Sequence, residues 1–410
     1  MNAAAGPSHP ADGGGAPTVQ PGRARNVVVM SLAMFALIAG EQLWTRFIPK
    51  HMAALGAPAV ALGLWGSIKD FIDAALQYPG GVLSDRLGSQ RALMLFTAVA
   101  GVGYLAYALA PAWPWLFVGL ALATAWGSLA SPAMFALIAE SLPAGRRARG
   151  FLVQSVLRRV PIVFAPALGG LLLARLGFAA GLRVGFAISI GLALATLLFQ
   201  WRFYRPPARA PAPVASGLAS LWRRAPTSLR RLLVADVLAR AAESIADVFV
   251  VLYALDVLGA SPVRFGAWIG LQTAVSIASY FPGAWLAERA GRKAAVTITF
   301  LMFAAFPLLV GLAHDATFLT VAFVAAGLRE LGEPARKAMI VDASPADARG
   351  QTVGAYYLAR SVAILPAGLF GGLLWVRDPH APFWAGAALG LAGVAYFVMA
   401  FREPPIASTR

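Results

Sequence analysis

YPGGVLSDRLGSQR, residues 78–91, lies between two apolar runs, and FPGAWLAERAGRK, residues 281–293, repeats its punctuation at the same internal spacing. Pro79, Gly80, Asp85, Arg86 and Gly88 recur 203 positions later as Pro282, Gly283, Glu288, Arg289 and Gly291. Two further blocks follow in the same order. Pro132, Glu140 and Pro143 return at an offset of 202 as Pro334, Asp342 and Pro345, and Arg149, Gly150 and Pro166 return at an offset of 200 as Arg349, Gly350 and Pro366. Three ordered blocks with a slowly drifting offset indicate a tandem duplication in which the copies run in the same direction and differ in loop length.

The surroundings say what was duplicated. Apolar residues make up 59% of the 410 positions and charged residues 13%, with a mean hydropathy of +0.70, whereas soluble domains are about half apolar. This is the composition of an integral membrane protein. Dividing the chain at charge and Pro/Gly clusters leaves twelve apolar stretches: 26–48, 60–84, 91–110, 114–141, 148–174, 181–202, 229–257, 264–287, 293–313, 316–342, 348–376 and 382–402. Each has roughly the 20 residues that a helix needs to cross about 30 Å of hydrocarbon. The expected fold is all-α, with two six-helix bundles over 26–202 and 229–402. A Gly/Pro/Ala-rich tail (1–25), a Pro/Ala-rich linker (203–228) and a short C-terminal tail (403–410) complete it. Within the linker, GLASLWRR fits either a surface amphipathic helix or plain linker.

Basic residues orient the spans. Twenty fall in one set of connections, including Arg146, Arg147, Arg230, Arg231 and Lys293; only Lys50, Arg175, Arg183, Arg264 and Arg377 fall in the other. The positive-inside bias therefore predicts that both termini and the linker are cytoplasmic. It also accounts for the net charge of +16 without a nucleic-acid partner. Arginine dominates the basic residues, with lysine only at 50, 69, 293 and 337, which suggests a GC-rich bacterial genome and hence a bacterial inner membrane. Cysteine is absent, so disulfides and thiolate metal sites are excluded. No P-loop, metal-ligand cluster or Ser/His/Asp set is present. The expectation is a protein without cofactor or metal that is not an enzyme.

The repeated turn resembles the G-x-x-x-x-D-R-x-G signature of the major facilitator superfamily, carried by Gly80, Asp85, Arg86 and Gly88 and again by Gly283, Glu288, Arg289 and Gly291. A second signature, E-x-x-P followed by R-G, is carried by Glu140, Pro143, Arg149 and Gly150, with Asp342, Pro345, Arg349 and Gly350 as its later copy. The resemblance implies the twelve-helix major facilitator fold and a monomer that suffices for transport. It also implies that these residues brace the cytoplasmic gate while the outside is open and separate when the inside opens. The glycines permit close helix approach, and Asp85 falls near a helix end, where a carboxylate meets a neighbouring N-terminus or an arginine.

Nine basic residues (Arg46, Lys69, Arg158, Arg159, Arg240, Arg329, Arg336, Lys337, Arg360) and eight acidic ones (Glu41, Asp70, Asp73, Asp236, Glu243, Asp247, Glu330, Glu333) lie inside the spans. Each costs roughly 2.5–3.5 kcal/mol against lipid, so they should face water or one another. They occur in spans 1, 2, 5, 7, 10 and 11, whereas the interiors of spans 3, 6, 9 and 12 have none. In the superfamily the latter four face outward, which is the same partition. Spacings of four predict the helical pairs Lys69–Asp73, Asp236–Arg240 and Arg329–Glu333. Glu243 and Asp247 form an acidic pair in which one carboxyl has a raised pKa unless a cation sits beside it, and Glu41 and Arg46, five apart, point across the cavity instead.

Candidate substrate-binding residues are Arg46, Arg158, Arg159, Arg240, Arg329, Arg360, Trp44 and Trp126. Candidate proton-coupling carboxylates are Glu41, Glu243 and Asp247. The histidines (9, 51, 314 and 380) fall in the tail or in outer loops. APALGG, residues 165–170, resembles the G-P-x-x-G-G motif of proton-driven exporters, with Ala165 in place of the first glycine. The leading expectation is therefore a secondary transporter that exports a small solute in exchange for protons. The rival is a proton-coupled importer or a facilitator of a polar or anionic metabolite. A transport-inactive membrane sensor is the alternative of another class.

Overall fold

The computed structural model describes residues 21–87, 89–124, 126–127, 144–203, 226–344 and 349–401. Over these residues the chain is helical, with short connections. Span 1 is the helix Pro21–Gln42, followed by a 3-10 turn Thr45–Phe47 and a short helix Ile48–Ala54. It begins within the predicted tail, because proline is well suited to a helix's first position. Spans 2 and 3 are Ala59–Leu87 and Ser89–Leu109, and span 4 is described from Trp113 to Thr124. Spans 5 and 6 are Ala144–Leu176 and Phe178–Phe203. In the second half, span 7 is Thr227–Leu252, extended by a π turn Tyr253–Val257, and spans 8 and 9 are Pro262–Arg289 and Arg292–Gly311. Spans 11 and 12 are Arg349–Arg377 and Ala381–Ala400.

Span 10 departs from the expected single helix. It is two helices, Leu319–Leu328 and Glu333–Asp342, separated by a tight turn over 329–332. Pro334 sits in the first turn of the second helix, where its missing N–H costs nothing but would have cost a bond in a continuous rod. The freed N–H of Gly332 donates instead to Thr299 Oγ1 at 2.7 Å. A side chain at 332 would overlap the carbonyl of Ala295, so glycine lets the break seat on span 9.

Both halves run their helices between two ends of the molecule. The motif end carries the start of span 1, the end of span 12 and the G-x-x-x-x-D-R segments; the far end lies opposite. Exposed large apolar side chains lie on spans 3, 6 and 12, among them Leu109, Leu194, Leu198, Trp201, Val398 and Met399, and also on spans 5 and 11, among them Leu168, Leu171, Phe370 and Val376. The lipid-facing surface is therefore not confined to the spans without interior charges.

The two halves meet at the far end. One hydrophobic core includes Phe47, Trp65, Phe186 and Leu173 from the first half together with Phe249, Phe265, Trp268 and Phe323 from the second. Among the described residues, the motif-end core, built on Leu232, Phe300, Tyr356 and Phe397, contains second-half side chains only. Small residues bring the backbones together at the far end. A Cβ on Gly63 would overlap the carbonyl of Gly368, joining spans 2 and 11, and one on Gly266 would overlap the carbonyl of Pro166, joining spans 5 and 8. Lys50 and Asp256 close the same end with an ion pair between halves.

Candidate functional site

The duplicated turn is mostly helix. Gly80, Asp85 and Arg86 lie on the helical backbone that ends at Leu87, Arg149 lies in the second turn of span 5, and Arg349 opens span 11. The side chains of these charged residues, together with Gly88, Glu140 and the tails, are outside the described residues. In the second copy the placement is complete. Gly283 packs where a Cβ would overlap the carbonyl of Leu331 in span 10. Gly291 adopts φ +89°, the left-handed region that starts span 9 abruptly. Glu288 is exposed, and the Arg289 guanidinium lies 4.6 Å over the Trp285 ring of its own helix. Asp342 pairs with Arg292 at 2.5 Å, a partner in the same half that the motif reading had not named.

Between the ends, the mid-span charges form two different environments. In the second half they are paired, although Asp236 Oδ1 and Arg240 Nε have no hydrogen-bond partner among the described residues. Asp236 Oδ2 accepts from Arg336 at 2.5 Å, from the Tyr356 hydroxyl at 3.0 Å and from Arg360 at 3.3 Å. Glu333 holds Arg336 with two bonds of 2.8 and 2.6 Å, and Arg240 approaches it to 3.6 Å. Glu243 bridges Arg240 at 3.2 Å and Arg329 at 2.8 Å. Phe303 and Phe306 lie beneath the Arg329 guanidinium, and Phe303 also under Arg240.

These pairings correct the predicted helical ones. Arg329 meets Glu243 rather than Glu333, because the break over 329–332 removes the fourfold register on which that prediction relied. Asp236 meets Arg336 and Arg360 on spans 10 and 11, while Arg240, four residues on, turns to Glu243 and Glu333. Arg240, Arg329 and Arg360 are therefore tied into ion pairs. The acidic pair does have its cations, since Arg46 reaches across from the first half to within 3.7 Å of Asp247.

The first half is sparser. Arg159 joins Glu330 across the halves at 3.2 Å, with the Tyr280 hydroxyl donating to the same carboxylate at 2.9 Å and its ring under the guanidinium. Lys69 lies 4.0 Å from Asp70. Asp70 also faces Glu243, Asp247 and Arg240 of the other half. Glu41 and Arg158 stand apart: neither carboxylate nor guanidinium has an ion pair among the described residues. Glu41 sits near Lys69, Arg158 and Asp73 and beside Tyr104 and Tyr107. Lys69, Asp70, Asp73 and Arg158 are exposed at mid-span, where only a water-filled space is tolerable.

Trp44 and Trp126 do not line that space. Trp44 is 1% exposed, donates its Nε1–H to Ser189 Oγ at 2.8 Å and packs against Tyr104, Tyr107 and Phe186. Trp126 is likewise buried. The hydrophobic packing of the bundle claimed both rings. The APALGG segment is also absorbed by packing, since a Cβ on Gly169 would overlap the Leu43 carbonyl and one on Gly170 the carbonyl of Pro262.

At the far end, Tyr253, His380 and Asp378 form a hydrogen-bonded chain. The Tyr253 hydroxyl lies 3.0 Å from both the Ala313 carbonyl and His380 Nε2, and His380 Nδ1 lies 3.1 Å from Asp378 Oδ1. The backbone N–H of His380 and its ring hold the Asp378 carboxyl below the usual carboxylate range.

The comparisons agree with this architecture. The profile of the Major Facilitator Superfamily matches residues 29–235 and again 232–410. An uncharacterised MFS-type transporter of Methanocaldococcus jannaschii is 20% identical over 374 residues, 90% of this chain and 92% of its own length. A Na(+), Li(+), K(+)/H(+) antiporter of Planococcus maritimus is 33% identical over 111 residues, 26% of each chain. Among solved structures, an inward-facing, unoccupied bacterial homologue of the human lysosomal transporter Spinster superposes with a TM-score of 0.70 at 17% identity, covering 92% of this chain and 95% of that one. The repeat, the two bundles meeting at one end and the family match over nearly the whole sequence lead to one conclusion: the chain belongs to the Major Facilitator Superfamily and is an MFS-type membrane transporter.

Proposed function

We propose that the protein is a proton-coupled carrier of a small anionic metabolite, with Arg158 as the anchor for its negative group and Glu41 as the proton site. The observation that carries this reading is that these two residues alone, among the described mid-span charges outside the Lys69–Asp70–Asp73 cluster, have no ion-pair partner. The other candidate carboxylates are engaged: Glu243 between Arg240 and Arg329, and Asp247 with Arg46. A proton on Glu41 removes a negative charge close to Arg158, which leaves that guanidinium freer to meet a substrate anion. Proton and anion then favour each other's binding, and the linkage is reciprocal. That sign corresponds to symport, so an inward proton gradient drives uptake.

With the motif end in the cytoplasm, as the basic residues predict, the far-end contacts close the outside and the state described is inward-open. The export reading rested on APALGG, and the packing of Gly169 and Gly170 accounts for that segment without proton chemistry. Exchange keeps one specific support, the short match to a cation/proton antiporter, and it makes the opposite prediction about flux direction.

The test uses protein in liposomes with a pH-sensitive dye inside. Organic anions and amphipathic cations are added in separate pools to wild type, Glu41→Gln and Arg158→Gln. Acidification that accompanies anion entry, lost in Glu41→Gln, is the expected result. Solute-driven proton movement of the opposite sign supports exchange, and an unchanged proton flux in Glu41→Gln removes that residue from the mechanism.

A further inference from the structure

The charge network of the second half holds more cations than anions. Arg240, Arg329, Arg336 and Arg360 all turn to the same three carboxylates, Asp236, Glu243 and Glu333, and the exposed Lys337 lies 3.8 Å from Glu333 as a further cation. Two more carboxylates border the network, and each has a cation of its own: Asp247 has Arg46 at 3.7 Å and Asp70 has Lys69 at 4.0 Å. The arginines are not equally held. Arg329 and Arg336 are buried and bond their carboxylates at 2.8 Å or less. Arg240 and Arg360 are 23% and 18% exposed and approach theirs no closer than 3.2 Å. Arg360 is the third donor on Asp236 Oδ2, after Arg336 and the Tyr356 hydroxyl. A ring covers one face of each guanidinium, Phe303 at 4.6 Å under Arg240 and Tyr357 at 4.8 Å under Arg360. The unmatched positive charge is therefore presented at Arg240 and Arg360.

This pair shares a space with Arg158. Asp70 of span 2 faces Arg240, and the adjoining Lys69 lies with Arg158 about Glu41, so Arg158 and Arg240 look onto one space from opposite halves. Arg360 joins Arg240 through Asp236, one turn earlier on span 7. We propose that Arg240 and Arg360 form a second anion subsite and that the substrate is a dianion, with one acidic group at Arg158 and the other at this pair. The inference rests on the reading of Arg158 as the first anchor. A cation without a counterion is costly in a low-dielectric interior. A second carboxylate or phosphate group supplies that counterion, whereas a monoanion leaves the charge unmet. Arginine forks suit such groups, since paired N–H donors match paired oxygens. Both arginines can turn to a ligand because no carboxylate depends on them alone: Asp236 and Glu333 keep Arg336, and Glu243 keeps Arg329.

The experiment is uptake by the full chain in liposomes under an inward proton gradient. Succinate, glutarate and adipate are each set against the monocarboxylate of the same carbon number: butyrate, valerate and hexanoate. The best-fitting dicarboxylate should exceed its monocarboxylate by about tenfold or more, the worth of one charge-assisted contact. In Arg240→Gln and in Arg360→Gln that ratio falls towards one, and Arg360→Lys, which restores the charge, recovers part of it. The wild-type ratio decides whether or not the variants fold. Equal uptake of the two classes by wild type, or a preference that survives in both glutamine variants, overturns the second subsite while leaving Arg158 as the anchor of a monoanion. Uptake that Arg158→Gln does not alter overturns the first anchor instead, and no uptake of any of these acids overturns both.

Discussion

Substituting alanine at Gly368 tests whether the far-end contact is a gate. A Cβ there would overlap the carbonyl of Gly63 and the hydroxyl of Ser67, and the Gly368 N–H donates to Ser67 Oγ at 3.1 Å. A helix carbonyl cannot rotate away, so spans 2 and 11 must part. Overpacking of this kind costs about 1–3 kcal/mol, and loss of the hydrogen bond adds about 1 kcal/mol. The sum, roughly 2–4 kcal/mol, falls on the far-closed state only, because the open state lacks the contact. It shifts the equilibrium towards the open state by about 30- to 1000-fold. The chain has no cysteine, so a single Asp70→Cys, mid-span and 59% exposed, reports access cleanly. An impermeant thiol reagent added on the far side should leave that reporter unlabelled in the parent and label it rapidly in Gly368→Ala. Gly354→Ala is the control, since it lies on the same helix with nothing within 4 Å of an added Cβ. Equal far-side labelling of parent and Gly368→Ala would refute the gate assignment.

Three further outcomes are expected. Arg336→Met leaves Asp236 and Glu333 as buried charges short of a partner, so it should lower stability by about 3–5 kcal/mol; a thermal melt that shows under about 1 kcal/mol contradicts the network's role. Asp342→Asn breaks an exposed pair worth under about 1 kcal/mol, and because Arg292 is in the same half it should leave far-side labelling of the Asp70→Cys reporter unchanged. His380→Ala removes the hydrogen bonds to the Tyr253 hydroxyl and the Asp378 carboxylate, so it should lower stability by about 1 kcal/mol; an unchanged thermal melt contradicts a structural role for this cluster.

The spans and the duplication were legible in the sequence because each is a local property: length, hydropathy and the recurrence of Gly, Pro and charge. Span 10 was not legible. Pro161, Pro166, Pro282, Pro307 and Pro366 all lie inside continuous helices, and nothing local distinguishes them from Pro334. What decides is the neighbouring span, where Thr299 stands ready for the Gly332 N–H. Pairings failed for the same reason. The fourfold rule sees one helix, whereas Asp236, Arg329 and Arg159 found partners on others. Arg46 was the exception, since its poor register with Glu41 already pointed it across the cavity. Trp44 and Trp126 looked like pocket aromatics because sequence shows size and polarity but not which face of a crowded bundle takes the ring.

The interruption in span 10 also has a mechanical meaning. A continuous helix transmits force along its length as a rod, whereas two short rods with a joint can change their mutual angle while each stays intact. Here the far rod carries Phe323 into the shared core, and the motif-end rod is fastened through Arg336 to Asp236 of span 7, which Arg360 of span 11 also holds. The joint's Gly332 amide is already bonded sideways, outside the helical ladder, so bending there ruptures no regular turn. Compliance concentrated over four residues lets one end of the second half follow the gate while the other keeps its shape.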